Sequence, residues 1–349
     1  MRFLFFSRRG ASLSLATRVV SEGHKVNFFV NNLNYKVSGK GIIEESKISE
    51  MYNCDIAIFD ETGMGEYASK MAKSKPILGA SVFSDTFNDN LEYKQKVLTK
   101  CGLQLSGSGG EELYVTGWWN GFSFVTPYHS YFKKTKFIER DLGIETESMG
   151  CLLWYNKSNK ITKSTLHMLH QELKKTGYVG AVNIKLNITE GNLYLKDVSL
   201  GFQYDSTYAA LEGLRQDFGE TLYRLAFGSL KRIKASEDWL AATRVTIPPY
   251  PFSMSDKYSN PTHIGGLNES NLKHAWLRDT QCVDGEYYSA GCDGYILTVT
   301  ARGLTPAKAF RRTLRTIENL KIDNLQYRRD IGEGLNERYN LIKSWGWFN

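Results

Sequence analysis

The chain has little that would staple, anchor or repeat it. Its five cysteines are odd in number and show no CxxC spacing, which argues against a disulfide framework and predicts reduced, mostly buried thiols of a cytoplasmic protein. No apolar run approaches the roughly 20 residues that span a bilayer, so no membrane partner is expected. The opening Met1-Arg2-Phe3-Leu4-Phe5-Phe6 is too short for a signal core and runs into Arg8-Arg9; it reads as a first buried strand. A GxxxxGK[ST] phosphate loop is missing, as are internal repeats, and the one low-complexity piece is Ser106–Gly110. Positive charge is in slight excess, net +7, and is not gathered into a block. Lys133-Lys134-Thr135-Lys136 therefore predicts a solvated face, with no nucleic-acid partner. His167 and His170 lie at helical i, i+3 spacing without a carboxylate partner and predict packing or surface roles, not metal ligation.

What is present is an ordinary globular composition, 42% hydrophobic and 23% charged over 349 residues, long enough for two or three domains. Residues 2–6 form an apolar run, Ser7-Arg8-Arg9-Gly10 a turn, and Leu13, Leu15, Ala16, Val19 and Val20 one face of a helix. Lys25–Val30, Asp55–Phe59 and Pro76–Gly79 supply further strands, with a helix near Gly65–Ala72. This alternation predicts a Rossmann-like parallel sheet. Asp85–Lys100 predicts one charged helix closed by Gly102. The turn Ser7–Gly10 at a helix start is a candidate phosphate cradle.

Beyond residue 110 the pattern changes. Leu113–Trp118 and Phe122–Thr126 flank Asn120-Gly121, a hairpin signal. Lys163–Thr176 predicts a helix. Val182, Ile184, Leu186 and Ile188 alternate with Asn183, Lys185 and Asn187, which predicts a half-buried antiparallel strand, turned by Glu190-Gly191-Asn192 into Leu193–Val198. Helices are expected near Tyr208–Gln216 and Glu220–Phe227, and an extended connection at Ile247–Pro251. A β-rich run Gly294–Ala301 precedes a helix opened by Thr305-Pro306, with Ala307, Phe310, Leu314 and Ile317 inward. Trp118-Trp119 and the Trp345–Phe348 tail predict core and docking aromatics, and Arg329-Asp330 a structural ion pair.

Four blocks in order carry a family resemblance. They are the amino-terminal unit with Pro76-Ile77-Leu78-Gly79, the stretch Tyr131–Gly150, the strand pair Gly180–Asp205, and Gly294–Gly303 continuing to Tyr327-Arg328-Arg329-Asp330-Ile331-Gly332. Together they resemble the ATP-grasp ligases of the phosphoribosylamine–glycine ligase (glycinamide ribonucleotide synthetase) type, including phage-type relatives. The resemblance implies an α/β fold with a Rossmann-like domain over 1–102, an ATP-grasp core with an antiparallel sheet over 111–235 and a small β-rich carboxy-terminal domain over 236–349. It implies ATP and Mg²⁺ as cofactors, small amine and carboxylate substrates, and carbon–nitrogen bond formation in purine nucleotide biosynthesis.

Carried over position by position, the resemblance implies catalytic roles for Lys136 and Asp141. Substrate contacts would fall to Ser7, Gly10, Gly143, Thr146 and Gly150, nucleotide contacts to Glu111 and Glu112, and metal contacts to Asp197 and Ser199. Asp197 and Ser199 stand where the family has glutamate and asparagine. Gly201 stands where it has an arginine, Tyr295 replaces the arginine of the last block, and Arg140, Glu145 and Glu147 replace glycine, asparagine and glycine. Between Gly102 and Glu111 the family carries a nucleotide lid; here residues 103–110, a Ser-Gly bridge of natural or engineered origin, take its place. A bridge of that composition supplies no phosphate-binding lysines. Two classes of function follow: an ATP-dependent carboxylate–amine ligase, or a non-catalytic derivative that binds a nucleotide-like metabolite or a protein partner.

Overall fold

A computed structural model describes residues 1–44, 46–107, 109–252 and 261–349. The first apolar run forms β1 (Arg2–Ser7), followed by α1 (Leu13–Ser21), β2 (Lys25–Val30), β3 (Ile56–Phe59), α2 (Gly65–Met71) and β4 (Ile77–Leu78). The strands pair in parallel in the order β2-β1-β3-β4. Phe3 and Phe5 enter the core shared with α1, while Leu4 and Phe6 enter a second core with Met64, Ala68 and Met71. A strand covered on both faces has no polar side, which is why this run is continuously apolar. On α1 the expected face holds for Leu13, Leu15, Ala16 and Val19, but Val20 is 45% exposed. Buried Ser14 takes part of that face instead, its hydroxyl donating to the Leu277 carbonyl.

The single helix expected over Asp85–Lys100 is two, α3 (Val82–Asp89) and α4 (Leu91–Lys100). Asn90 is the break. Its extended backbone ends α3, and its side chain accepts from the Tyr93 N–H to cap α4, a local bond that competes with helix continuation. A capping box at Ser81 and Ser84 starts α3 three residues earlier than expected.

The remaining strands build one antiparallel sheet. β5 (Glu111–Trp119), β6 (Phe124–Ile138), β7 (Leu142–Asn156), β8 (Gly180–Ile188), β9 (Leu193–Leu200), β10 (Trp239–Thr246), β11 (Ala275–Leu277) and β14 (Tyr295–Gly303) lie in the order β11-β14-β10-β7-β6-β5-β8-β9. β12 (Thr280–Val283) and β13 (Glu286–Ser289) form a separate hairpin. The boundary expected at 235/236 is no break in this sheet, because β10 pairs directly with β7. The block Tyr131–Gly150 is mostly the paired arm of β6 and β7, turned at Arg140 and Asp141, both at positive φ.

Helices cover the sheet unequally. The face with Leu113, Val115, Leu152, Trp154, Val182 and Ile184 packs under α5 (Lys160–Ser164), α6 (His170–Leu173), α10 (Pro306–Glu318) and α11 (Leu335–Ser344). Lys163–Thr176 is thus no single helix: Asn159 caps it early and Thr165, at φ −132°, interrupts it. On α10 the buried residues are Pro306, Ala309, Phe310, Thr313 and Ile317. Ala307 faces solvent, and Thr313 is tolerated inside because its hydroxyl meets that of Thr243 at 3.0 Å. The Ile247–Pro251 connection is a turn, closed by Tyr250 N–H to Ile247 O at 3.1 Å. Trp118, Trp119 and Trp347 are buried, and His167 packs beside Tyr128, whose hydroxyl lies 2.7 Å from its Nε2. Three cysteines are buried and all five are free thiols.

The opposite face carries α7 (Tyr204–Glu212), followed by α8 (Phe218–Ala226) and the short α9 (Glu269–Leu272). Here Asp205, the second residue of α7, is fully buried against Arg244 of β10. The guanidinium Nε donates to Oδ2 at 3.1 Å, while Oδ1 accepts from the Tyr295 hydroxyl at 2.7 Å and the Thr298 hydroxyl at 2.8 Å. Removing one member of such a pair strands the other charge at a cost of about 3–5 kcal/mol. Asp205→Ala should therefore lose about that much stability in urea unfolding, and Asp205→Leu with Arg244→Met should recover most of it.

Candidate functional site

A cleft of about 280 Å³ opens where the carboxyl ends of the parallel strands meet the α7 side of the antiparallel sheet. The residues after β1 and β3 supply Arg9, Asp60, Glu61 and Thr62; α3 and α4 supply Ser84, Asn88 and Lys94. From the large sheet come Glu147 of β7 and Asp197, Ser199 and Leu200 of β9, continuing through Gly201–Tyr204, and Arg278 follows β11. Side chains beyond the ends of parallel strands are free of the ladder and converge there, the usual place for a ligand. Asn88 joins the two halves: its amide donates to the Leu200 carbonyl at 2.8 Å and accepts from the Leu200 N–H at 2.9 Å.

Charges in the cleft are mostly paired. Arg9 binds Glu61 through its backbone N–H (2.8 Å) and Nε (2.7 Å). Lys94, buried in α4, meets Asp197 Oδ1 at 2.8 Å, leaving the other carboxylate oxygen toward the cleft. Asp60 is buried. Its Oδ2 accepts from the Ser12 N–H at 2.8 Å, and its Oδ1 and the hydroxyls of Ser7 and Ser12 have no partner. Burial, helped by the neighbouring charge of Glu61, pushes the Asp60 carboxyl up to about 6.

Of the residues expected at a site, Asp197 and Ser199 line this cleft. Ser7 is buried next to Asp60's neighbourhood, and Gly10 closes the turn into α1, its carbonyl accepting from Leu13. Lys136, Asp141, Gly143, Thr146 and Gly150 run along the β6–β7 arm and do not line it. Lys136 pairs with Glu145 at 3.0 Å, Asp141 with Lys134 at 2.6 Å and Arg328 at 3.0 Å, and Thr146 donates to the Thr135 carbonyl. Gly150 is needed where β7 meets β10: a Cβ there would lie 2.4 Å from the Ala242 carbonyl oxygen. The ion pair expected of Arg329-Asp330 belongs to Arg328, whose buried guanidinium spans Asp330 and Asp141 and so clamps the arm.

Glu111 and Glu112 project to opposite faces of β5, as strand alternation requires. Glu111 pairs with Arg338 of α11. Glu112 joins Lys185 at 2.9 Å and the Tyr114 hydroxyl at 2.8 Å on the α7 side. Lys133 stands 4.5 Å over the Tyr114 ring and burial lowers its pKa; it is not the solvated residue its run implied. Asp60, Glu61, Lys94 and Arg278 were not anticipated. A signal existed for the first two, since an acidic pair directly after the apolar run of β3 sits at a strand's carboxyl end.

Gly201, in the arginine position of the resemblance, adopts φ +114°, a conformation that an arginine would strain. The departure is therefore one of backbone as well as charge. Residues 103–107 run from α4 along β9, where the Ser106 N–H donates to the Leu195 carbonyl; Ser108 of the bridge lies outside the described residues. The chain enters β5 directly afterwards.

The Asp60 shift has a signed consequence. A carboxyl whose folded pKa is raised from 3.8 to about 6 contributes its stability at low pH and loses it as pH rises through that window. Asp60→Asn, measured by urea unfolding against the wild type, should be near neutral at pH 4. By pH 7 it should be more stable on the order of 2 kcal/mol, since a pKa unit is worth about 1.4 kcal/mol.

No protein-family model matches the sequence. The phosphoribosylamine–glycine ligase of Caldanaerobacter subterraneus is 25% identical over 235 residues, 64% of this chain and 54% of that protein. The enzyme of the same name from Clostridium acetobutylicum is 24% identical over 218 residues, 60% of this chain and 51% of that protein. The chain thus spans about half the length of the curated relatives it matches. Among solved structures, Thermotoga maritima phosphoribosylamine–glycine ligase superposes with a TM-score of 0.71 at 14% identity, covering 95% of this chain and 100% of that one. The biotin carboxylase domain of a single-chain bacterial carboxylase gives 0.63 at 11%, covering 99% and 100%. The fold is that of the ATP-grasp enzymes, and the sequence has a weak likeness to phosphoribosylamine–glycine ligases.

Proposed function

We propose that the chain is an ATP-grasp ligase-like protein that acts on small molecules, a carboxylate and an amine, in the manner of phosphoribosylamine–glycine ligase. The observation that supports this reading is the cleft itself, whose wall carries the oxygen donors of Asp197, Ser199 and Glu147 beside paired cations. Hard oxygen donors of this kind suit Mg²⁺, which takes one or two protein carboxylates and completes its shell with water and phosphate. Asp197 and Ser199 would hold the metal, with Glu147 facing them. Bound Mg·ATP would supply the phosphoryl group that activates a carboxylate toward an amine.

The chain's own residues divide the remaining work. Lys94 holds the Asp197 carboxylate in place through one oxygen. Arg9 and Glu61 fix the turn after β1 against that after β3. Asp60, titrating near 6, is placed to hold or accept a proton close to neutral pH. A place in purine nucleotide formation, a cytoplasmic location and a lid lost at residues 103–110 belong to the same reading.

The second reading, a non-catalytic derivative that binds a nucleotide-like metabolite, is favoured by the short passage from α4 into β5 and by the occupation of Lys136 and Asp141 in arm contacts. Without a lid, water reaches the cleft and an activated carboxylate would be lost to hydrolysis. ADP release with glycine and phosphoribosylamine, measured with the thermal shift given by Mg·ATP, separates the two. The ligase reading expects ADP release that needs both substrates and falls at least about tenfold in Asp197→Asn. The binding reading expects a shift without ADP, about 2.7 kcal/mol of stabilisation at 100 times Kd. Neither a shift nor ADP would overturn both.

A further inference from the structure

Three cations line the cleft, and two are spoken for: Arg9 by Glu61 and Lys94 by Asp197. The third, Arg278, is 6% exposed, and its Nη1 has no hydrogen-bond partner. Among the described residues no carboxylate reaches ion-pair distance of its guanidinium. What surrounds it is aromatic: the group lies 5.3 Å from the Tyr204 ring centre and 4.6 Å from that of Tyr295. Burial works against its charge, but Asp293, Tyr295 and Glu147 favour it and the pKa stays above the ordinary arginine value. A buried guanidinium without a fixed partner is a costly arrangement unless something supplies one.

Position adds to this. Arg278 follows β11, next to β14 in the sheet. Tyr295, at the start of β14, offers its ring to Arg244 at 4.0 Å and to Arg278. Both guanidiniums thus lie over one ring: Arg244, ion-paired with Asp205, and Arg278, which lines the cleft. A planar fork held by aromatic faces presents its remaining N–H groups in a fixed direction, the geometry that suits two oxygens of one anion.

We infer that Arg278 receives the anionic end of a small ligand, a carboxylate or a phosphate group, at the inner wall of the cleft. The inference builds on the small-molecule reading above and names the residue that reading lacked, since Gly201 and Tyr295 supply no cation. The shared chemistry is a compact oxyanion, and the two sources differ in charge and shape.

The test uses the full chain without ATP. Thermal unfolding is followed in sodium phosphate and in sodium acetate, each against sodium chloride at matched ionic strength. The wild type should be stabilised by at least one oxyanion; a response to phosphate alone assigns a phosphate group, and a response to acetate alone a carboxylate. Arg278→Met should melt higher than the wild type in chloride, because the unpartnered charge is gone, and bind the oxyanion at least about tenfold more weakly. Arg278→Lys keeps the charge without the fork and should respond with intermediate affinity, which keeps the test decisive if the methionine variant fails to fold. No oxyanion response in the wild type, or equal responses in wild type and Arg278 variants, would overturn the inference. The ligase reading fails separately: an oxyanion response without ADP release leaves Arg278 assigned, whereas ADP release with unchanged KM in Arg278→Lys removes Arg278 and leaves the ligase.

Discussion

The buried pair of Asp205 and Arg244 is the constraint on which the candidate site rests. It lies where α7 leaves the edge of the large sheet, and it ties that helix to β10 directly and to β14 through Tyr295 and Thr298. Burial alone would raise the Asp205 carboxyl, but Arg244 and the surrounding hydroxyls hold it below the ordinary value. Both charges are therefore kept inside the protein, ion-paired with each other at 3.1 Å. Buried pairs of this kind add little net stability but specify one arrangement. Here that arrangement sets the Tyr295 ring within reach of two guanidiniums, and Tyr204, adjacent to Asp205, completes the aromatic seat of Arg278.

The cleft is a product of two sheets that differ in kind. The parallel sheet ends its strands together, so its turns deliver Arg9, Asp60 and Glu61 to one edge. The antiparallel sheet offers a face, and alternate residues of β7 and β9 deliver Glu147, Asp197 and Ser199 onto it. Asn88, bonded to both backbone groups of Leu200, fixes the distance between the two. Most of the charge is consumed in pairs that hold these pieces together. Among the described residues of the cleft, Asp60 Oδ1 and Arg278 Nη1 are buried without a hydrogen-bond partner, one on an acid raised to about 6 and the other on a permanent cation.

Local chemistry was legible wherever a residue's neighbours in sequence are also its neighbours in space. The parallel strands, the alternation of β8, the Asn120-Gly121 hairpin and the Thr305-Pro306 helix start all follow from short-range rules. Errors arose where a side chain chose among backbone partners: Asn90 splits a helix, Thr165 interrupts another, and Thr313 takes an inward position that Ala307 was expected to share. The polar side of β8 was readable as polar, yet Asn183 is 4% exposed. Polarity announced a hydrogen-bonded floor as readily as a wet surface, and only the bonds of Asn183 to Thr116 of β5 and to the Ser199 and Gly201 carbonyls decide which.

Asp197 and Ser199 were reached through the family resemblance, and sitting two apart on β9 they share one face and both line the cleft. The expected residues of the β6–β7 arm lie away from it, paired strand to strand and held at the turn by Arg328, far along the chain, which binds both Asp141 and Asp330. Arg278 is the extreme case: nothing within ten residues marks it as exceptional. Its meaning depends on rings at 204 and 295 and on carboxylates already committed to Arg9 and Lys94. The sequence by itself determined the two sheet types, their order along the chain and the likeness to ATP-grasp ligases, because strand periodicity and turn chemistry are local. Only the tertiary structure decided which charges are spent and which remain free, because pairing is settled by distances between residues that the chain keeps far apart.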